Sequence, residues 1–392
     1  MEDRFYLAAA CAVVPGLGRK RLRKLVERFG SAERVYKASL TDLTACGCTY
    51  ERAAVFTSNR DQGMPQKIKT FCERSGTYIL SITDAEYPYL LKQISDPPLL
   101  LYVRGVLPQG HYTAVVGSRK CTDYGEKNAS VFAAALARSG ITIISGGARG
   151  IDTVAHVACL KAGGTTVAVL GCGIDIAYPH ENAELFNRIE ASGALVTEYP
   201  PGTQPVAVNF PARNRIIVGL ACEVLVAEAS RKSGAIITAN IAADEGRDVF
   251  CIPGNIYEGT SIGCHDLIRN GAKLVDCPED IFSDMNKLWE VGTDFCRQNN
   301  TLGFDKYYDI KDNILAQGTF ANRTSAGNEN LTKMTVSELG SVLLDCLHRG
   351  AMSLEELVSA SGRDFGEVSV ELLQLLADGR IKENAARQYR RV

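Results

Sequence analysis

Apolar and polar positions change their spacing several times along this chain. Residues 5–14 are almost all apolar, with Glu2 and Asp3 before them and Arg19, Lys20 and Arg21 after. Those flanks are the reverse of a secretion signal, so the run predicts a buried first helix. Over residues 19–29 the apolar side chains Leu22, Leu25, Val26 and Phe29 recur at helical spacing, and Gly30 supplies a stop. The turn Val14-Pro15-Gly16-Leu17-Gly18 between the two predicts either an ordinary helical hairpin or a helix-hairpin-helix (SAM-like) unit whose turn amides hold phosphate. Residues 1–83 are therefore read as a small helical domain.

Residues 84–110 read as an entry arm, with Tyr87-Pro88, Asp96-Pro97-Pro98 and a strand-like run at 99–103. Short apolar runs then alternate with helical segments. Strands are predicted at 114–116, 141–144, 166–170, 195–197, 223–227 and 248–252, and helices at 129–137 and 155–161. Runs buried on both faces and joined by helices predict a parallel sheet with right-handed crossovers, so residues 84–285 form a Rossmann-like α/β domain. Over residues 286–334 the pattern decays into polar positions and reads as a linker. Residues 335–392 predict three short helices, the second opened by a Ser353, Glu356 capping box, and a hairpin beginning at Ile381. That is a winged helix. Its third helix would show Glu367, Glu371 and Asp378 on the exposed face, so it fits protein binding or autoregulation at least as well as reading of DNA.

Composition narrows the class without naming a function. At 392 residues, 46% hydrophobic and 22% charged, the chain is an ordinary multidomain globular sequence. No uncharged apolar run is long enough to span a bilayer, so no membrane insertion is expected. Thirteen cysteines without a Cys-x-x-Cys pair encode neither a disulfide framework nor a zinc ribbon, and Cys46 with Cys48 lacks two further ligands. The reading is a reducing cytoplasm, with no metal and no cofactor. Net charge is −2, yet it is uneven: residues 1–83 carry 14 Lys or Arg against 8 Asp or Glu, an excess of 6.

In an open parallel sheet ligands bind beyond the carboxyl ends of the strands. The loops expected there are Gly117-Ser118-Arg119, Ser145-Gly146-Gly147-Ala148-Arg149-Gly150 and Gly171-Cys172-Gly173, followed by the segment after Ala227 with Lys232, Ser233 and Gly234. Glycine lets backbone amides approach an anion, and Arg119 and Arg149 can fork two phosphate oxygens. Arg213 and Arg215, flanking Asn214, lie about 200° apart on one helix, so both cannot face the core and at least one is expected to meet a ligand. Glu228 orients an arginine or forms a structural ion pair. A dinucleotide fingerprint and a P-loop are both missing, and the five histidines are scattered. The pattern predicts phosphate binding without phosphoryl transfer, and no catalytic residue is assigned.

These motifs, together with Tyr178-Pro179 and Asn182, Phe210-Pro211-Ala212-Arg213-Asn214-Arg215-Ile216 and Ser233-Gly234-Ala235 with Thr238-Ala239, resemble in order and spacing those of the bacterial DNA-processing protein A (DprA/Smf) family. The resemblance covers nearly the whole chain. It implies a non-enzymatic single-stranded DNA binder of natural transformation that protects incoming DNA and loads the RecA recombinase, with Arg119 contacting DNA. A basic residue commonly follows Tyr-Pro in that family, where this chain has His180 and Glu181. The resemblance also implies a homodimer through His265, Ile268 and Leu274, although residues 267–275 would bury equally well within one subunit. The competing reading is a nucleotide-processing enzyme of the lysine-decarboxylase-like phosphoribohydrolase type, whose glycine-rich string begins at Pro253-Gly254-Asn255 and then breaks off.

Overall fold

The computed structural model describes residues 2–13, 18–284 and parts of 342–391. Residues 14–17 of the expected hairpin turn, the expected linker, Glu367 and Asp378 lie outside the described residues. The chain divides into two compact units, Met1–Phe320 and Ala321–Val392.

The first unit opens with helices α1 (Asp3–Ala12), α2 (Arg19–Phe29), α3 (Ala32–Lys37), α4 (Leu40–Ala45), α5 (Tyr50–Asn59) and α6 (Met64–Ser75). Local chemistry sets their ends. Gly30 closes α2 at φ +80°, where a side chain would be strained. Ser39 and Asp42 form a capping box at α4, each side chain accepting the other's backbone N–H at 3.1 Å. Strand β1 (Tyr78–Ser81) follows, then α7 (Tyr89–Gln93), β2 (Leu100–Gly105), β3 (Tyr112–Gly117), α8 (Asp123–Arg138), β4 (Thr142–Ser145), α9 (Ile151–Lys161) and β5 (Thr166–Val169). The unit is completed by α10 (Ala183–Ser192), β6 (Ala194–Thr197), α11 (Asn209–Leu220), β7 (Glu223–Glu228), α12 (Gly234–Asp244), β8 (Asp248–Cys251), α13 (Ile262–Arg269) and β9 (Lys273–Leu274).

All nine strands form one sheet in the order β1-β2-β6-β5-β4-β3-β7-β8-β9. From β6 to β9 every pairing is parallel, which makes the unit Rossmann-like. The other edge departs from the expected all-parallel sheet: β1 pairs antiparallel with β2, and β2 antiparallel with β6. Antiparallel edge strands on a parallel sheet are common. β1 lies inside the segment whose pattern predicted only helices, and β9, with both residues exposed, leaves no periodic signal.

The pleat sends alternate residues to opposite faces. Val115, Ile143 and Leu225 pack with Phe132 and Leu136 of α8 and Ile151 of α9. Ala114, Val116, Ile144, Val224 and Val226 point the other way, toward Ile216 and Ile217 of α11 and Ala239 of α12. That second cluster runs on into Leu22, Tyr36 and Phe56, so the N-terminal helices share the sheet's core.

In the second unit β10 (Met352–Ser353), α14 (Leu354–Ser361), β11 (Ile381–Glu383) and β12 (Gln388–Arg391) are described. The Ser353, Glu356 capping box is present, and β11 pairs antiparallel with β12 where the hairpin was expected. Leu343, Leu347, Leu357, Val368, Leu372, Leu375 and Ile381 form its core.

Candidate functional site

The strand order reverses at β3: the chain winds outward through β4, β5 and β6, then returns to build β7, β8 and β9 on the other side. Carboxyl ends of strands splay apart at such a point and leave a crevice. A groove of about 890 Å³ opens there, lined by the loop after β3 and by the first turns of α11 and α12. Phe210, Pro211 and Asn214 come from α11, and Ser233, Gly234 and Ala235 from the start of α12. Two helix N-termini therefore turn their positive dipole ends toward the same space. Arg119, Lys120 and Lys232 are exposed along it. Among the described lining residues the one carboxylate is Asp152, which is buried and accepts from the backbone N–H of Gly146 at 3.1 Å and of Ala148 at 3.3 Å. The groove is cationic.

Its loops are held from behind. The backbone N–H of Ser118 donates to the carbonyl of Glu228 at 2.7 Å, and that of Ile151 donates to the carbonyl of Ser118 at 3.1 Å. Among the described residues Glu228 neither orients an arginine nor forms a structural ion pair, the two readings its sequence left open. Its buried carboxylate accepts from the Thr122 hydroxyl and, at 3.2 Å, from the Thr122 N–H, tying down the Gly117-to-Thr122 loop. The glycines serve close approach: a Cβ on Gly117 would sit 2.5 Å from Ile151 Cγ1, one on Gly146 2.6 Å from the Arg213 guanidinium, and one on Gly147 2.7 Å from the Phe186 ring. Gly150, at φ +73°, lets its turn meet the backbone of Ser118 and Arg119. Asn182 is buried and donates to the Gly147 carbonyl at 3.0 Å and Thr153 Oγ1 at 2.8 Å, so it clamps the neighbouring loop.

The arginines meet different fates. Arg213 is 3% exposed and donates to the carbonyls of Gly146, at 2.7 Å, and Val169. Burial pushes its pKa down to about 10 against the opposing pull of Asp152, whose own carboxyl burial raises. Arg215 is also mostly buried, bonded to Glu198 at 2.5 Å and 3.4 Å from Asp96. Of this pair Arg213 reaches the groove lining, with its guanidinium held by backbone carbonyls. Arg215 does not line the groove. Arg149 is exposed but forked onto Glu181, with one bond at 3.0 Å, and the pair raises the arginine's pKa and lowers the glutamate's. His180 stands exposed beside them.

Residues 78–286 match the family of DNA recombination-mediator protein A. Protein Smf of Synechocystis is 33% identical over 100% of this chain and 99% of its own. DNA processing protein DprA of Streptococcus pneumoniae is 47% identical over 52% of this chain and 73% of its own. The chain belongs to the recombination-mediator protein A family. The X-ray structure of the Streptococcus pneumoniae protein superposes with a TM-score of 0.62 at 38% identity, over 71% of this chain and 97% of that one. A DNA-processing, recombination-mediator role follows for this chain.

Within this mediator the expected residues separate into two sets. Gly117, Ser118, Arg119, Arg213, Asn214, Lys232, Ser233 and Gly234 meet at the groove. Gly146, Gly147, Gly150 and Asn182 shape its loops, while Arg149, Arg215 and His180 lie outside its lining. Two residues not singled out earlier stand at its wall. The guanidinium of Arg119 lies 5.5 Å from the Phe210 ring centroid, and that ring is 5.4 Å from Tyr178 at 37°. Both rings lie in motifs visible in the sequence, 32 positions apart, and only the fold brings them together. Of the expected dimer residues, His265 Nε2 sits 3.2 Å from the Gly254 nitrogen and 3.1 Å from its oxygen, Ile268 is half-buried, and Leu274 is 51% exposed on the edge strand β9. Among the described residues no helix is long and apolar enough to cross a membrane, and the cysteines are free.

Proposed function

We propose that the groove at the β3–β7 switch point holds a single strand of DNA. The observation that carries this reading is the row of exposed cations, Arg119, Lys120 and Lys232, beside the adjacent, tilted rings of Phe210 and Tyr178. Phosphates take the cations and face the positive ends of α11 and α12, and unpaired bases take the rings, which the paired bases of a duplex cannot do. Phosphate contacts position the strand without reading its sequence, which suits a mediator that accepts any DNA. In this reading the protein shields incoming strands in natural transformation and passes them to the RecA recombinase without chemistry of its own. It pairs with a second copy through His265, Ile268 and Leu274 at the α13–β9 edge, and its C-terminal unit is a winged helix. Anisotropy titration of labelled oligonucleotides tests the core of the proposal. Single strands should bind more tightly than duplexes of equal length, with affinity falling as salt rises by roughly 0.7 log units per phosphate contact. Equal affinity for duplex, or no binding at low salt, overturns it. Released base on incubation with nucleoside monophosphates would favour the phosphoribohydrolase reading instead.

A further inference from the structure

At the amino-terminal ends of the central strands β3 and β7, away from the groove at their carboxyl ends, three donors of different chemistry converge. His111 immediately precedes β3, Glu223 opens the adjacent strand β7, and Cys222 immediately precedes it. The sheet itself fixes their separation: the backbone N–H of Cys222 donates to the Tyr112 carbonyl at 2.9 Å, and Thr113 is the register partner of Glu223. His111 Nε2 lies 2.8 and 2.9 Å from the two Glu223 carboxylate oxygens, and an imidazole nitrogen, the Cys222 sulfur and a carboxylate oxygen all lie within 4.8 Å of one another.

We propose that His111, Cys222 and Glu223 bind one divalent transition-metal ion, with zinc the metal their donor set suits. One nitrogen, one sulfur and one oxygen form a mixed set of the kind zinc accepts, and three protein ligands leave a fourth position for water. His111 and Glu223 are 5% and 4% exposed, which strips solvent from the ion, while Cys222 is half-buried and gives it a way in. The Thr113 hydroxyl donates to the same carboxylate and so orients it, as supporting groups around metal sites do. Bonds of about 2.0 to 2.3 Å to a tetrahedral ion place donors about 3.3 to 3.7 Å apart, so the His111–Glu223 hydrogen bond has to open by less than about 1 Å. Binding releases the thiol proton and any imidazolium proton to solvent, and the cysteine and glutamate charges then balance the dication. A buried ion pair with no affinity for metal is the competing account. The other cluster of this type among the described residues, Asp276, Cys277 and Asp280, has no imidazole and serves as a control.

Cobalt(II) titration of the full-length, reduced, chelator-stripped protein tests the site. One equivalent should bind with a thiolate-to-cobalt absorption band, and zinc should displace it. Cys222→Ser should lose that band, Glu223→Gln should weaken binding tenfold or more, and Cys277→Ser should change neither. Zinc at a hundredfold excess over its Kd should raise the wild-type Tm by about 5 °C and leave Cys222→Ser unmoved. Because Cys222 is half-exposed, its serine variant is the one to judge by if Glu223→Gln unfolds. Absence of stoichiometric binding by the wild type, or a band that survives in folded Cys222→Ser, overturns the proposal.

Discussion

Two cationic regions flank α11, and they differ in whether an acid is within reach. On one side Arg19, Arg215, Asp96 and Glu198 close on themselves: Arg19 lies 2.5 Å from Asp96 and 3.2 Å from Glu198, and Arg215 lies 2.5 Å from Glu198. On the other side Arg119, Lys120 and Lys232 line the groove, and none forms an ion pair with a carboxylate among the described residues. The first arrangement fastens the N-terminal helices and the entry arm to α11. The second leaves charge to be satisfied from outside. Both regions are built on basic side chains, and the difference lies in the local supply of carboxylates.

The largest effect expected from disturbing this contrast is on the closed side. Glu198→Gln leaves Arg215, 11% exposed at its side chain, without its shortest anionic partner. Breaking one member of a buried pair costs about 3 to 5 kcal/mol. The chemical-denaturation midpoint should fall accordingly, while oligonucleotide affinity of the folded fraction stays level. Affinity falling along with stability would mean that the two regions are one site.

The sheet was legible because strands buried on both faces write continuous apolar runs, as Ile143-Ile144 and Val224-Leu225-Val226 do, and glycines punctuate their ends. Edges were not legible. β9 offers two exposed residues and no period, and β1 sits among residues whose spacing is helical. Within the site, the loop glycines and Arg119 were visible from motif alone. The roles of Arg215, Glu228 and Arg149 were not, because helical angle says which way a side chain leaves its helix and nothing about what covers that face. The partners that decide the matter, Asp96, Thr122 and Glu181, lie 119, 106 and 32 positions away.

On the open side, Arg119→Ala removes a charge-assisted contact worth about 1.5 to 3 kcal/mol, so single-strand affinity should drop by roughly ten- to a hundredfold. The salt slope should lose about 0.7 with it. A slope identical to wild type would remove Arg119 from the phosphate path. Phe210→Leu tests the neighbouring ring by a different signature. It keeps apolar bulk against Gly171 but no flat face, so affinity should fall about tenfold while the salt slope holds, because stacking releases no counterions. If the slope moves instead, Phe210 serves to position Arg119 and not to stack a base.

The smallest effect separates Arg149 from Arg119. Both are exposed, both follow a strand end, and Arg149 alone carries a carboxylate, forked onto Glu181. An exposed pair of this kind is worth at most about 1 kcal/mol, so a nearby phosphate can compete for it. Glu181→Gln should therefore tighten single-strand binding by about threefold, and Arg149→Ala in that background should return it to the wild-type level. The gain should hold constant from about pH 5 to 8. The pair lowers the glutamate's pKa and raises the arginine's, so the carboxylate takes up a proton only below its usual range and the guanidinium loses one only above its own. Neither partner titrates inside that window. A gain that survives Arg149→Ala would show that Glu181 repels the strand by its charge alone, and Arg149 would then have no part in holding DNA.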